Sequence, residues 1–179
     1  DSVASRGLGD VYKRQASWTA DQFDPTLTWE DIAWIKDRWK GKLILKGIMD
    51  SEDAMLAVKA GADAIIISNH GGRQLDGAPS TISVLPEIVD AVNSKVEVHF
   101  DGGVRSGQDV LKALALGADC IHIGRPYVYG LGAKGQEGVE IAIEIIKKEL
   151  DLTMAMCGET NISNVGLHNL HHNPFKIIN

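Results

Sequence analysis

The sequence predicts an α/β fold, a parallel sheet assembled from strand–helix units of the (β/α)8 barrel type. Three observations predict it. Short apolar runs alternate with segments whose apolar residues recur at helical spacing, four times along the chain. An internal echo aligns residues 57–68 with 113–124, offset by 56 positions, and six of the twelve pairs are identical. A repeat of one βα unit on another is natural in a (β/α)8 barrel. The polar residues of interest all fall where an apolar run ends, the edge at which barrel enzymes place their chemistry. A complete barrel takes roughly 250 residues, so this 179-residue chain supplies about half of one.

Each element follows from local signals. Thr28 and Asp31 form an N-cap with an acidic first turn, and Ile32, Ile35 and Trp39 recur at helical spacing, which predicts a helix over 28–39. Trp29, Trp34 and Trp39 on it are expected to pack at the core or the helix rim. Leu43 to Lys46 reads as a short buried strand. Ser51 caps a helix carrying Ala54, Ala57 and Val58, and Ala64 to Ser68 is the next strand. After a polar loop with Pro79, a helix runs from about Ser83 to Val92. Val96 to Phe100 is a third strand, alternating apolar residues with Glu97 and His99. Ser106 and Asp109 open the helix of Val110, Leu111 and Leu114, and Cys120 to Ile123 is the fourth strand. Val139, Ile143, Ile146 and Leu150 mark one face of a long terminal helix. In both copies of the repeat, a glycine (Gly61, Gly117) is expected to end the helix in a left-handed turn.

Bulk properties narrow the function. The hydrophobic share of 44% and charged share of 23% are those of an ordinary globular domain. A net charge of −6 with no basic patch argues against a nucleic-acid partner. No apolar run is long enough to span a membrane, and a cytoplasmic setting is the expectation. Cys120 and Cys157 fit neither a disulfide framework nor a zinc site, and no metal is expected. His99 and His122 are expected to pack or bond in the barrel wall. Residues 1–15 lack any helical or strand period and read as an adapter-derived segment foreign to the native chain. The native reading then begins near Ala16, inside a longer gene, and residues 166–179, with His168, His171 and His172, form a polar, solvated tail.

The chemistry sits at three glycine–cation turns. Residues 68–76 read Ser-Asn-His-Gly-Gly-Arg-Gln-Leu-Asp directly after an apolar strand. An imidazole that can take a proton, beside a guanidinium that can grip a carboxylate in a fork, suits work on a small acid. Either alone has a plain alternative, a loop histidine bonded to backbone or a surface arginine. Asp101-Gly102-Gly103-Val104-Arg105 and Gly124-Arg125 follow the next two strands. Glycine amides can approach phosphate oxygens, the following helix N-terminus favours an anion, and each arginine adds charge-assisted bonds. Lys46 closes an otherwise apolar strand, so its amine either reaches the rim or faces an anion.

Together these motifs resemble the FMN-dependent α-hydroxy-acid oxidases and dehydrogenases, a family that includes glycolate oxidase and the flavin L-lactate dehydrogenases. Phe23 to Gly47 is most similar to the bacterial L-lactate dehydrogenase branch, and the resemblance spans about Gln22 to Val165. It implies strands five to eight of the barrel, within an FMN hydroxy-acid dehydrogenase domain over residues 16–165. It also implies the roles of the site residues. His70 is the base that takes the substrate hydroxyl proton as hydride passes to flavin, or, by a carbanion route, removes the α-hydrogen. Arg73 binds the substrate carboxylate. Lys46 sits near N1 and the C2 carbonyl of the isoalloxazine, and Ser68 bonds the ring. Asp101, Gly102, Gly103, Val104, Arg105, Gly124 and Arg125 form the phosphate end of the FMN site.

The implied reaction is oxidation of an L-2-hydroxy acid, foremost L-lactate, to the 2-oxo acid, with electrons passing on to a quinone or cytochrome. The rival is an oxidase that uses O2. A non-redox phosphate-binding barrel would explain the glycine–arginine turns but not His70 and Arg73 beside Lys46; an inactive fragment is the third reading. The resemblance further implies a homo-oligomer at full length and allows a peripheral place at the inner membrane. The aspartate that orients the histidine in the family has no counterpart in this chain. With one half of the ring absent, edge strands near Leu43 and Cys120 would be unpaired. The chain alone is therefore expected to self-associate, bind FMN weakly and lack activity.

Overall fold

The structure, a computed structural model, describes residue 24 and residues 26–171. The segment 1–15 set apart above and His172 lie outside them. Four parallel strands form one sheet in the order β1 (Ile44–Ile48), β2 (Ala64–Ile67), β3 (Glu97–Phe100) and β4 (Cys120–Ile121). Helices intervene at every crossover: α1 (Trp29–Arg38) precedes the sheet, and α2 (Ser51–Lys59), α3 (Thr81–Val92), α4 (Gly107–Ala115) and α5 (Arg125–Met156) follow the strands. This is the α/β architecture of half a (β/α)8 barrel.

Register explains how one sheet serves both core and site. Lys46, Ile66, His99 and Cys120 occupy one row across the four strands. Side chains in such a row point to the same face, and those one residue away point to the other. The helix-covered face carries Ile65, Ile67, Val98 and Phe100, all at most 2% exposed, packed on Leu85, Ile88 and Val92 of α3. The opposite face carries Lys46, Ser68, Glu97, His99, Asp101 and Cys120. The alternation in β3 thus divides core from chemistry.

The repeat has a structural counterpart. Gly61 and Gly117 both take left-handed φ, +83° and +100°, and each is followed two residues later by an aspartate that grips the neighbouring strand. Asp63 accepts from the Leu43 amide at 2.9 Å, and Asp119 from the Val98 amide at 2.8 Å. Asp63 also pairs with Lys36 of α1 and with Lys42. The Lys36 bond foremost, then those of Lys42 and the Leu43 amide, holds the Asp63 carboxyl well below the usual carboxylate range. A depressed carboxylate pKa contributes stability above its unfolded value, here 3.8, and loses that contribution as pH falls further. Asp63→Asn is therefore expected to lower the urea midpoint at neutral pH, with the gap to the parent closing below about pH 4. A gap independent of pH would show that the charge is not the source.

Several expectations need correction. β1 runs through Gly47 to Ile48, with a bulge at Gly47 (φ +99°), so Lys46 lies within the strand rather than at its end. α3 starts at Thr81, two residues early, because Ser80 is its N-cap, and it continues through Pro86. β4 stops at Ile121, although the His122 amide still donates to Phe100 at 2.8 Å. Trp34 and Trp39 are 58% and 59% exposed; Trp34 stacks under Arg38, and Trp39 Nε1 donates to the Lys42 carbonyl. Of the three, only Trp29 packs on the core.

The terminal helix begins at Arg125, and its two segments meet at a break at Lys134–Gly135. Gly130 and Gly138 stand on either side of that break so close that a Cβ on either would overlap the other's backbone. The stripe expected on this helix holds at Ile146 and Leu150, which pack on the core. Ile143 is 47% exposed, because the close approach to α4 falls one to two turns later, at Glu149 and Leu150. The start of the expected tail is docked: His168 and Asn169 bond Glu159 at 2.8 and 2.9 Å, and Leu170 packs on the core. Among the described residues, no helix is long and apolar enough to cross a membrane.

Candidate active site

The loop after β2 is built to present two side chains. Asn69 caps a 3-10 turn over His70–Gly72, its Oδ1 accepting from the Gly72 amide at 3.2 Å and its Nδ2 donating to the Pro79 carbonyl at 3.2 Å. His70 itself has φ +56°, a conformation that is uncommon outside glycine and that clusters at functional sites. The His70 amide donates to Ser68 Oγ at 3.1 Å. Arg125 reaches across from α5, its Nη2 donating to the Gly71 carbonyl at 3.0 Å. The loop is thus pinned from three sides.

Lys46 is fixed from two directions, donating to Ser68 Oγ at 2.7 Å and pairing with Asp101. Ser68 Oγ, only 4% exposed as a residue, accepts from both Lys46 and His70 and retains its own hydroxyl proton to donate. One cleft of about 390 Å3 is lined by Lys46, His70, Gly71, Arg73, Asp101, Gly102, Gly103, Val104, Arg105, Gly124 and Arg125. Every expected site residue meets there except Ser68. Ser68 lines an adjoining hollow of about 640 Å3 that also takes in Lys46 and His70, with Met49, Leu75 and Pro79 as its apolar wall.

The donors in this cleft exceed the acceptors. Among the described residues, the Arg73 and Arg105 guanidiniums and the His70 ring bond no protein group, and the amides of Gly102, Gly103 and Gly124 donate to no carbonyl. Gly102 and Gly103 take φ of +107° and +82°, which leaves their amides turned off the strand. Gly124 is the N-cap of α5, where orphan amides and the helix dipole favour an anion. The unpaired amides with Arg105 and Arg125 fit a phosphate, and His70 with Arg73 fits a carboxylate.

Two expected contacts take a different form. The Val104 side chain is 5% exposed and belongs to the core, so only its backbone can serve the cleft. The Asp101 carboxylate pairs with Lys46 and acts by holding the ammonium.

A family model described as FMN-dependent dehydrogenase matches residues 3–172. The chain belongs to that family. The matched span takes in most of the segment set apart above as foreign. Among curated relatives, mouse 2-hydroxyacid oxidase 1 is 49% identical over 162 residues, covering 90% of this chain and 44% of the mouse protein. L-lactate dehydrogenase of Vibrio cholerae is 46% identical over 172 residues, covering 91% of this chain and 46% of the relative. A crystal structure of mandelate oxidase with (S)-4-hydroxymandelic acid superposes with a TM-score of 0.78 at 47% identity, covering 81% of this chain and 41% of that one. The chain therefore spans somewhat less than half the length of these FMN-dependent dehydrogenase relatives.

Within this member of the family, sequence reasoning passed over three site residues. Asn69 carries a readable signal, an Asx residue two or three positions before a glycine turn. Thr81, 3% exposed, sits so close to Gly102 that a Cβ there would lie 2.6 Å from its Oγ1; only tertiary packing reveals it. His122 borders the cleft. Its burial first, and then neighbouring His99, holds its imidazole below the usual range, with Asp101 pulling the other way.

Proposed function

We propose that the protein of this chain oxidises an L-2-hydroxy acid, L-lactate foremost, to the 2-oxo acid with FMN as cofactor. The observation that supports it most is that one cleft collects Lys46, His70, Arg73, Arg105, Arg125 and the unpaired glycine amides. Arg105, Arg125 and the amides of Gly102, Gly103 and Gly124 would hold the FMN phosphate, and Lys46 and Ser68 the ring. When bound, FMN supplies a two-electron acceptor. Arg73 grips the substrate carboxylate, where a planar fork orients as well as attracts. That grip brings the α-hydroxyl toward His70, whose ring nitrogen accepts its proton. Asp101 and Ser68 hold the Lys46 ammonium in place, so that its remaining donor can stabilise negative charge on the bound group. Met49, Leu75 and Pro79 keep water from the substrate's apolar side.

The electron acceptor is a quinone or cytochrome in this reading. The 49% identity to a 2-hydroxyacid oxidase supports a second one, in which O2 takes the electrons. Anaerobic mixing of the FMN-loaded protein with L-lactate should bleach the flavin, and L-lactate should do so faster than D-lactate. Re-oxidation by a soluble quinone well ahead of air would favour the first reading. A flavin that no 2-hydroxy acid bleaches would end both.

Arg73→Lys is expected to raise KM and lower kcat for lactate, because one bidentate contact becomes a point charge. If the parent oxidises uncharged lactamide as well as lactate, Arg73 is not the carboxylate anchor. Arg125→Ala should weaken FMN more than riboflavin, since only FMN carries the phosphate. Fluorescence titration reads both, and equal losses would move Arg125 out of the phosphate site.

A further inference from the structure

Along the row of Lys46, on the same inner face of the sheet, lies a cluster of ligand-type side chains that the roles above leave unused. We propose that His99, Cys120 and His122 form a three-ligand site for a divalent ion of the zinc class. Their ligand atoms all lie within 4.8 Å of one another. His99 Nδ1 and His122 Nε2 are 3.1 Å apart. A tetrahedral ion at Zn–N distances of about 2.0–2.1 Å needs its nitrogens roughly 3.4 Å apart, so the pair has to open by only a few tenths of an ångström.

The second contact of His99 prepares it for this role. Its Nε2 faces Glu97 Oε2 at 3.2 Å, the carboxylate–histidine arrangement that places the proton on one ring nitrogen and leaves the other a lone pair. The lone pair then belongs to Nδ1, which points at His122. Two imidazoles and a thiol select a borderline ion over magnesium or calcium, which take oxygen ligands. His99 is 8% exposed, Cys120 is half-buried, and His122 opens into the cleft, which provides an entry path.

Binding balances without any change of oxidation state. The Cys120 S–H bond breaks, a sulfur–metal bond forms, and the thiol proton leaves to solvent. The His122 proton moves from Nε2 to Nδ1, which frees the second lone pair. Three protein ligands leave one position for water. No spacing motif advertises the site, because the ligands come from two strands and meet only through the His99–Cys120 register.

Cobalt(II) is the probe. Added to the chelator-treated protein, it should bind at one equivalent with release of a proton, giving a thiolate-to-cobalt band in the near-ultraviolet difference spectrum. Cys120→Ser should abolish that band. His122→Phe should weaken binding at least about tenfold, and Glu97→Gln by roughly 10–100-fold. Cys157→Ser and His168→Ala should leave binding unchanged. A band that survives Cys120→Ser, or binding indifferent to His122→Phe, would overturn the site. Should a variant fail to fold, the parent decides. Zinc should protect Cys120, and not exposed Cys157, from alkylation mapped by mass spectrometry. Equal labelling of Cys120 with and without zinc would refute the proposal.

Discussion

In a protein completed to the length of its relatives, His70→Asn is expected to cut turnover of L-lactate by about 10²–10⁴-fold, the usual loss when a positioned base is removed, while FMN stays bound. Asparagine is the chosen replacement because His70 has φ +56°, and asparagine tolerates the left-handed region better than alanine does. The loop should keep its shape, since its anchors are the Asn69 cap, the Arg125–Gly71 bond and the His70 amide on Ser68. None of these uses the imidazole. FMN affinity, melting temperature and KM should therefore change little, and the effect should fall on kcat. Near-normal kcat in this variant would remove His70 from the mechanism, and loss of FMN together with activity would point to a collapsed loop.

Gly107→Ala, at the first residue of α4, should lower stability sharply. A Cβ at Gly107 would lie 1.9 Å from the Leu150 amide nitrogen and 2.3 Å from the Glu149 carbonyl carbon. Both are backbone atoms, so no rotamer can relieve the overlap, and α5 must move away from α4. The Gly107 amide also donates to Glu149 Oε2 at 2.9 Å, a bond that the same displacement would stretch. Overpacking costs typically about 1–3 kcal/mol, and a backbone clash belongs at the upper end. For a chain of this size that is a fall in Tm of roughly 6–12 °C. Gly132→Ala is the control: nothing lies within 4 Å of its Cβ position, and alanine in an exposed helix should be neutral or stabilising by up to about 1 kcal/mol. Equal Tm values for the two variants would contradict this account of the helix contact.

The amino-acid sequence by itself determined the order of elements and the location of the chemistry. Apolar alternation in residues 96–100 separates a core face from a polar face, and that separation survives in the sheet. The left-handed turns at Gly61 and Gly117 are local backbone chemistry, whereas the bonds of Asp63 and Asp119 reach 20 and 21 residues back, to the Leu43 and Val98 amides. The resemblance to the FMN family pointed to candidate residues, Ser68, His70 and Arg73 among them within the nine positions Ser68 to Asp76, and all of the candidates but Ser68 line one cleft. Tertiary structure decided everything that depends on which strands become neighbours. It turned Asp101 toward Lys46, sent the Val104 side chain into the core and tied Arg125 to Gly71. It left Trp34 and Trp39 exposed and packed Trp29 on the core, a choice between core and rim that the sequence left open. It also brought His99 to His122 and Cys120. Such contacts join residues 21 to 55 positions apart through a register of inter-strand hydrogen bonds. Periodicity along one strand carries no record of the strand beside it.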